Sequence, residues 1–150
     1  MTPRLCCADS QDCIPRWLIA ISPIVRYMLL CDDWRLDGPN NRRVTIIGLI
    51  WNIHSVEVPP YPLFYREFCV FLALTEGRRQ GEGHIVCVLE ETGQKIFETR
   101  KRPIQFRPDP LEVVGVPFRI RDCSFPQPGL YSVQFWYDGV LLEERPLRMR

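Results

Sequence analysis

Residues 126–150 read PQPGLYSVQFWYDGVLLEERPLRMR, two apolar runs meeting at Asp138-Gly139. Asp-Gly between alternating hydrophobics marks a tight hairpin, because a type I′ turn needs positive φ at both central residues. That turn places Tyr137 opposite Val140, Trp136 opposite Leu141 and Phe135 opposite Leu142. Tyr131, Val133, Phe135 and Tyr137 then share one face, assigned to a core, and Leu130, Ser132, Gln134 and Trp136 share the other. Continuing this register would set Glu144 beside Val133 and turn Leu147 and Met149 away from the core. A bulge near Glu144-Arg145-Pro146 is therefore expected. Pro146 cannot donate a ladder hydrogen bond, so the final strand is expected at a sheet edge. Gly129-Leu130-Tyr131, entering the hairpin, matches the tyrosine corner of sandwich folds, in which a phenol bonds upstream backbone.

The chain upstream carries the same punctuation. Tyr27 to Leu36 reads as a first strand, closed by a turn over residues 37–41. Arg43 to Val58 (RVTIIGLIWNIHSVEV) is one β-branched run, apolar on both faces, and is expected as a central strand with Gly48 at a bend. Pro59-Pro60-Tyr61-Pro62 ends it. Arg66 to Leu74 reads as a strand, His84 to Glu91 and Gln94 to Thr99 as a hairpin, and Leu111 to Asp122 as another strand. Arg100 to Pro110, with three prolines, reads as a connector. About eight strands without a helical stripe predict an all-β, antiparallel sandwich, either immunoglobulin-like or jelly roll.

Bulk composition agrees with a single domain. The 150 residues are 46% hydrophobic and 25% charged, with a net charge of +1. So weak a field announces neither a nucleic acid nor a membrane partner. The seven cysteines are odd in number and fit no paired zinc motif. Cys69, Cys87 and Cys123 lie in strand-like runs and read as small buried hydrophobes of a reducing, cytoplasmic compartment. No metal or cofactor is expected.

Residues 1–27 differ from the rest. Their apolar stretch, Trp17 to Val25, is too short to span a bilayer, which takes about 20 residues. Asp9 and Asp12 ahead of it do not fit a secretory signal. The segment reads as an extension with a short helix over residues 14–22, or as a misassigned start with translation from Met28; the sandwich domain is expected over residues 28–150.

Leu29-Leu30-Cys31-Asp32, then Ile46-Ile47-Gly48-Leu49-Ile50, then Pro126-x-Pro-Gly-x-Tyr131 and Asp138-Gly139, form an order that resembles a family of short bacterial β-sandwich proteins of unknown function. The resemblance covers residues 28–150 and implies an immunoglobulin-like sandwich. Its motifs are fold punctuation and bring no catalytic residues with them.

Chemistry is thinly supplied. Only His54 and His84 could serve as a base, and each reads as a strand-end residue. Asp32 and Asp33 point to opposite faces of a strand, so they do not form a dyad. Asp37, Asp109 and Asp122 are candidates for a calcium site only if the fold gathers them. Arg42-Arg43, Arg78-Arg79 and Arg100-Lys101-Arg102 read as solvated clusters. Aromatic residues are the remaining lead: Tyr61, Phe64 and Tyr65 around the proline loop, and Trp136 beside Leu141, are the candidate partner-binding residues. The sequence thus points to a non-enzymatic binding or assembly module. Its expected partner is another protein, or a second copy paired through the edge strand at residues 140–149. The alternative is a small carbohydrate- or ligand-binding sandwich, with calcium as an option.

Overall fold

The computed structural model describes residues 21–150. Cys6, Cys7, Cys13 and all but the end of the helix expected over residues 14–22 lie outside the described residues. Ten strands are present among the described residues: β1 (Ile24–Asp37), β2 (Arg43–Leu49), β3 (Asn52–Ile53), β4 (Leu63–Thr75), β5 (Gln80–Leu89), β6 (Lys95–Glu98), β7 (Arg102–Gln105), β8 (Val114–Phe125), β9 (Gly129–Tyr137) and β10 (Val140–Met149). A four-stranded sheet runs β2-β1-β4-β8, and a second runs β3-β10-β9-β5-β6, with β7 beside the first half of β5. The two sheets pack face to face as an all-β sandwich. β1 begins at Ile24, so Met28, where the domain was expected to start, lies buried inside a strand.

The core is what period-two alternation predicts. β4 contributes Phe68, Val70, Leu72 and Leu74; β9 contributes Tyr131, Val133, Phe135 and Tyr137. Phe118 of β8 meets Phe135 of β9 across the sandwich with ring centroids 6.2 Å apart, and Phe125 meets Tyr131 edge-on at 5.1 Å. Each such buried side chain contributes about 1.5–3 kcal/mol of transfer free energy. Gly83 of β5 makes room for one of them, since a Cβ there would come within 2.8 Å of the Phe135 ring.

Three expectations are corrected. First, the run 43–58 is not one central strand. It divides at Ile50-Trp51 into β2, the outer strand of its sheet, and β3, which crosses over to pair with β10. Residues apolar on both faces suit a strand buried between neighbours, but they equally suit an edge strand whose outer face is uncovered. The central strand is β4. Second, β3 lies parallel to β10, with Arg148 opposite Asn52 and Met149 opposite Ile53, so the sandwich is not wholly antiparallel. Third, the connector at 100–110 holds a strand, β7. Its Pro103 is tolerated because β7 pairs on one side only, with β5.

The closing hairpin keeps its predicted start. Tyr137 faces Val140 and Trp136 faces Leu141. The bulge comes earlier than expected, between Leu141 and Glu143, so Phe135 faces Glu143 rather than Leu142. Its effect is the one required: Leu147 sits opposite Tyr131, and Leu147 and Met149 are buried. β10 is an edge along most of its length and is covered by β3 only at Arg148 and Met149.

Two rungs of the four-stranded sheet reverse the alternation. Leu29 pairs with Phe71, and Trp34 also stacks near Phe71 at 5.9 Å. Trp34 lies an odd number of positions, five, after Leu29, so the two share a face only because alternation slips by one between them. Gly48, at φ 66°, lies against Asp32 at that rung. In β8, Ile120 and Cys123 are both buried although three residues apart, and Asp122 between them has φ 52°.

Candidate functional site

The residues singled out by sequence do not form one surface. Tyr61 packs against the core. Tyr65 also turns inward, its ring 5.7 Å from Phe68 and its phenol donating to Asp32 at 3.3 Å. Burial raises the phenol pKa of both. Phe64 points outward alone, 73% exposed. Trp136 is half-buried on the outer face of the other sheet. Its indole N–H donates to Gln134 at 3.0 Å and its ring stacks on His84 at 6.5 Å. A shallow groove of about 310 Å³ runs there, between Val86, Val88, Gln134, Trp136 and Glu98.

The histidines have different surroundings. His84 is buried under Trp136, and its Nε2 lies 3.3 Å from Glu98 Oε1. His54 is exposed. Neither bonds a serine or cysteine side chain among the described residues. No group of three or more His, Cys, Asp or Glu side chains among the described residues is placed to hold a metal ion. Asp37 instead accepts from Arg35 and Thr45, and Asp109 accepts from the Leu111 amide. The arginine clusters separate too: Arg42 lines one groove, Arg78 and Arg79 another, and Arg102 lies over the Phe118 ring at 5.2 Å.

The four cysteines of the described residues are free and buried: Cys31, Cys69, Cys87 and Cys123. Burial pushes the Cys87 thiol up to about 12 and those of Cys31 and Cys123 up to about 11. These thiols are protonated, unreactive packing groups.

The surface that sequence reading missed is the outer face of the four-stranded sheet. Phe71 and Ala73 of β4 form the floor of an open groove of about 460 Å³, walled by Tyr27, Leu29, Val44 and Ile46, with Arg42 at its side. Gly115 of β8 leaves space for the Phe71 ring, which would lie 3.1 Å from a Cβ at that position. Around the groove the exposed side chains are apolar: Tyr27 is 63% exposed, and Ile24, Leu36, Val44 and Val113 are exposed as well. Scattered exposed apolar side chains are ordinary, whereas a contiguous apolar patch marks a contact surface. The sequence signal for it is the two-sided apolarity of residues 44–50, which fits an uncovered edge strand as well as a buried one.

At the far end of the same sheet the outer face turns polar. Arg119 of β8 is held between Glu67 at 2.8 Å and Asp33 at 3.0 Å, and Arg121 reaches Glu67 at 3.4 Å. Apolar groove and charged lattice thus divide one sheet face between them. No helix among the described residues is long and apolar enough to cross a membrane.

Comparison with curated proteins finds no match. Residues 26–150, which take in all but the first two residues of β1 and every later strand, match the model of a family of unknown function (DUF6941), and the chain belongs to that family.

Proposed function

We propose that the protein is a non-enzymatic binding module that engages another polypeptide through the outer face of the four-stranded sheet. The observation that carries this reading is the groove floored by Phe71 and Ala73 and walled by Tyr27, Leu29, Val44 and Ile46. Its lining is apolar and its rim has exposed backbone at β2, the combination that binds an extended chain by side-chain pockets and strand pairing together. The charged lattice around Arg119 bounds the patch on one side and favours one orientation of the partner. A cytoplasmic setting suits four free, buried cysteines.

A photocrosslinking residue at Val44 tests the reading in cells. A discrete protein adduct from position 44, with none from a control residue at Leu130 on the other sheet, supports it. Absence of any adduct from position 44 rules it out.

The ligand-binding alternative has one observation in its favour. Trp136, half-buried beside Gln134 and Glu98, offers a ring face next to polar groups. Much of that ring already stacks on His84, which leaves less of it for a sugar. The groove beside Phe71 therefore carries the stronger case.

A further inference from the structure

Four kinds of sheet edge are present, and three of them carry devices against pairing. β10 has Glu143, Glu144, Arg145 and Pro146; β8 has Pro117, Arg119, Arg121 and the left-handed Asp122; β6 and β7 are four residues each and contain Lys95 and Pro103. Charges, prolines, bulges and brevity are the means by which edges avoid one another. β2 carries no charge and no proline from Val44 to Leu49, and its one irregularity there is Gly48 at φ 66°. The strand is seven residues long, has no strand on its outer side among the described residues, and exposes Val44, Ile47 and Leu49.

We infer that β2 pairs antiparallel with β2 of a second copy of this chain. This rests on the outer-face reading above and names its partner. A strand that meets itself about a two-fold axis must be self-complementary. With Ile46 opposite its own copy, Thr45 faces Ile47, Val44 faces Gly48 and Arg43 faces Leu49, so no two like charges meet across the seam. Charge complementarity adds to this. Arg43 makes no ion pair among the described residues, and Asp32 holds only the Tyr65 phenol at 3.3 Å. The Asp32 carboxylate lies against Gly48, where the lack of a side chain leaves it open towards the edge. In the register centred on Ile46, Arg43 of each copy arrives one residue from Gly48 and reaches the other copy's Asp32. The two four-stranded sheets become one continuous sheet, and the Val44 and Ile46 walls of the two grooves meet at the seam.

Light scattering on the purified full chain reads the outcome directly. The expected mass is twice the 17.7 kDa of one chain. Ile46→Lys, which puts a charge on the edge, and Arg43→Glu, which sets acid against Asp32, should each return the single-chain mass. Arg43→Glu combined with Asp32→Arg should restore the doubled mass. Circular dichroism checks that each variant is folded, and Arg43 is exposed enough that its replacement leaves the core untouched. A single-chain mass for the unsubstituted protein overturns the inference, as does a doubled mass that ignores both single substitutions. A dimer that the charge swap fails to restore overturns the Arg43–Asp32 register. The two readings fail separately: a single-chain mass with a position-44 adduct to a different polypeptide removes only the second copy, while loss of all adducts removes the binding surface itself.

Discussion

The Tyr131 phenol donates to the backbone carbonyl of Gln127 at 2.6 Å, and its own oxygen accepts from the Gln127 amide at 3.4 Å. One buried side chain thereby ties the Pro126–Gly129 corner to the start of β9. Six residues along the same strand face, the Tyr137 phenol is buried and has no partner among the described residues. Burial pushes its pKa up to about 12. Two tyrosines with equivalent core rings thus differ in what their hydroxyls do.

Phenylalanine at each position should separate the two. Tyr131→Phe removes a made bond and orphans the Gln127 carbonyl, which costs about 1 kcal/mol or more. Tyr137→Phe removes an unsatisfied buried hydroxyl and keeps the ring, so stability should stay level or rise by about 1 kcal/mol. Urea unfolding of both variants reads the difference. Equal losses would mean that the Tyr137 hydroxyl has a partner in solution.

The legible part of this fold was the part whose register a turn fixes. Asp138-Gly139 set the pairing of Tyr137 with Val140, and alternation then sorted Tyr131, Val133 and Phe135 to the core. The bulge was required by the positions of Leu147 and Met149. Its place was not, because an extra residue at Leu142 repairs the phase as well as one at Glu144. The edge position of β2 is hidden for a related reason: alternation reports that both faces are apolar and is silent on whether a second strand or solvent lies alongside. The groove around Phe71 inherits that ambiguity. Its floor comes from β4 and its walls from β1 and β2, and only the tertiary pairing of β1 with both neighbours brings them together.

Gly48 should tolerate no side chain. Its φ of 66° is strained for any L residue, and a Cβ there would collide with the Asp32 carboxylate. Gly48→Ala should cost about 1–3 kcal/mol from backbone strain alone. Adding Asp32→Ala should recover the share due to the collision and leave the strain. Full recovery in the double variant would show that the backbone relaxes freely at this rung.

Thiol labelling offers a direct check on the core. Of seven cysteines, Cys31, Cys69, Cys87 and Cys123 are buried, each with its pKa raised by burial. In native buffer near neutral pH, no more than Cys6, Cys7 and Cys13 should react with a thiol reagent. The other four should appear only on unfolding, at a rate set by opening of the sandwich. Rapid labelling of Cys87, at the centre of β5, would contradict its burial.

The lattice around Arg119 adds a small, acid-sensitive contribution to stability. Hydrogen bonds from Arg119 hold the Glu67 carboxyl below its ordinary 4.5, and the Trp34 amide with Arg119 holds Asp33 below its ordinary 3.8. Folded pKa values below the unfolded ones mean a contribution present in full above the ordinary carboxylate range and lost as pH falls through the depressed values. Both carboxylates are exposed, so the effect is small and screened by salt. Arg119→Gln should lower stability at neutral pH and flatten the fall below about pH 4.5, where the unsubstituted protein loses the advantage. Thermal melts across that range, at low and high salt, read both effects. An acid limb of the same steepness in Arg119→Gln would assign acid sensitivity to other carboxylates, and a salt-independent loss at neutral pH would assign the role of Arg119 to packing on the sheet face.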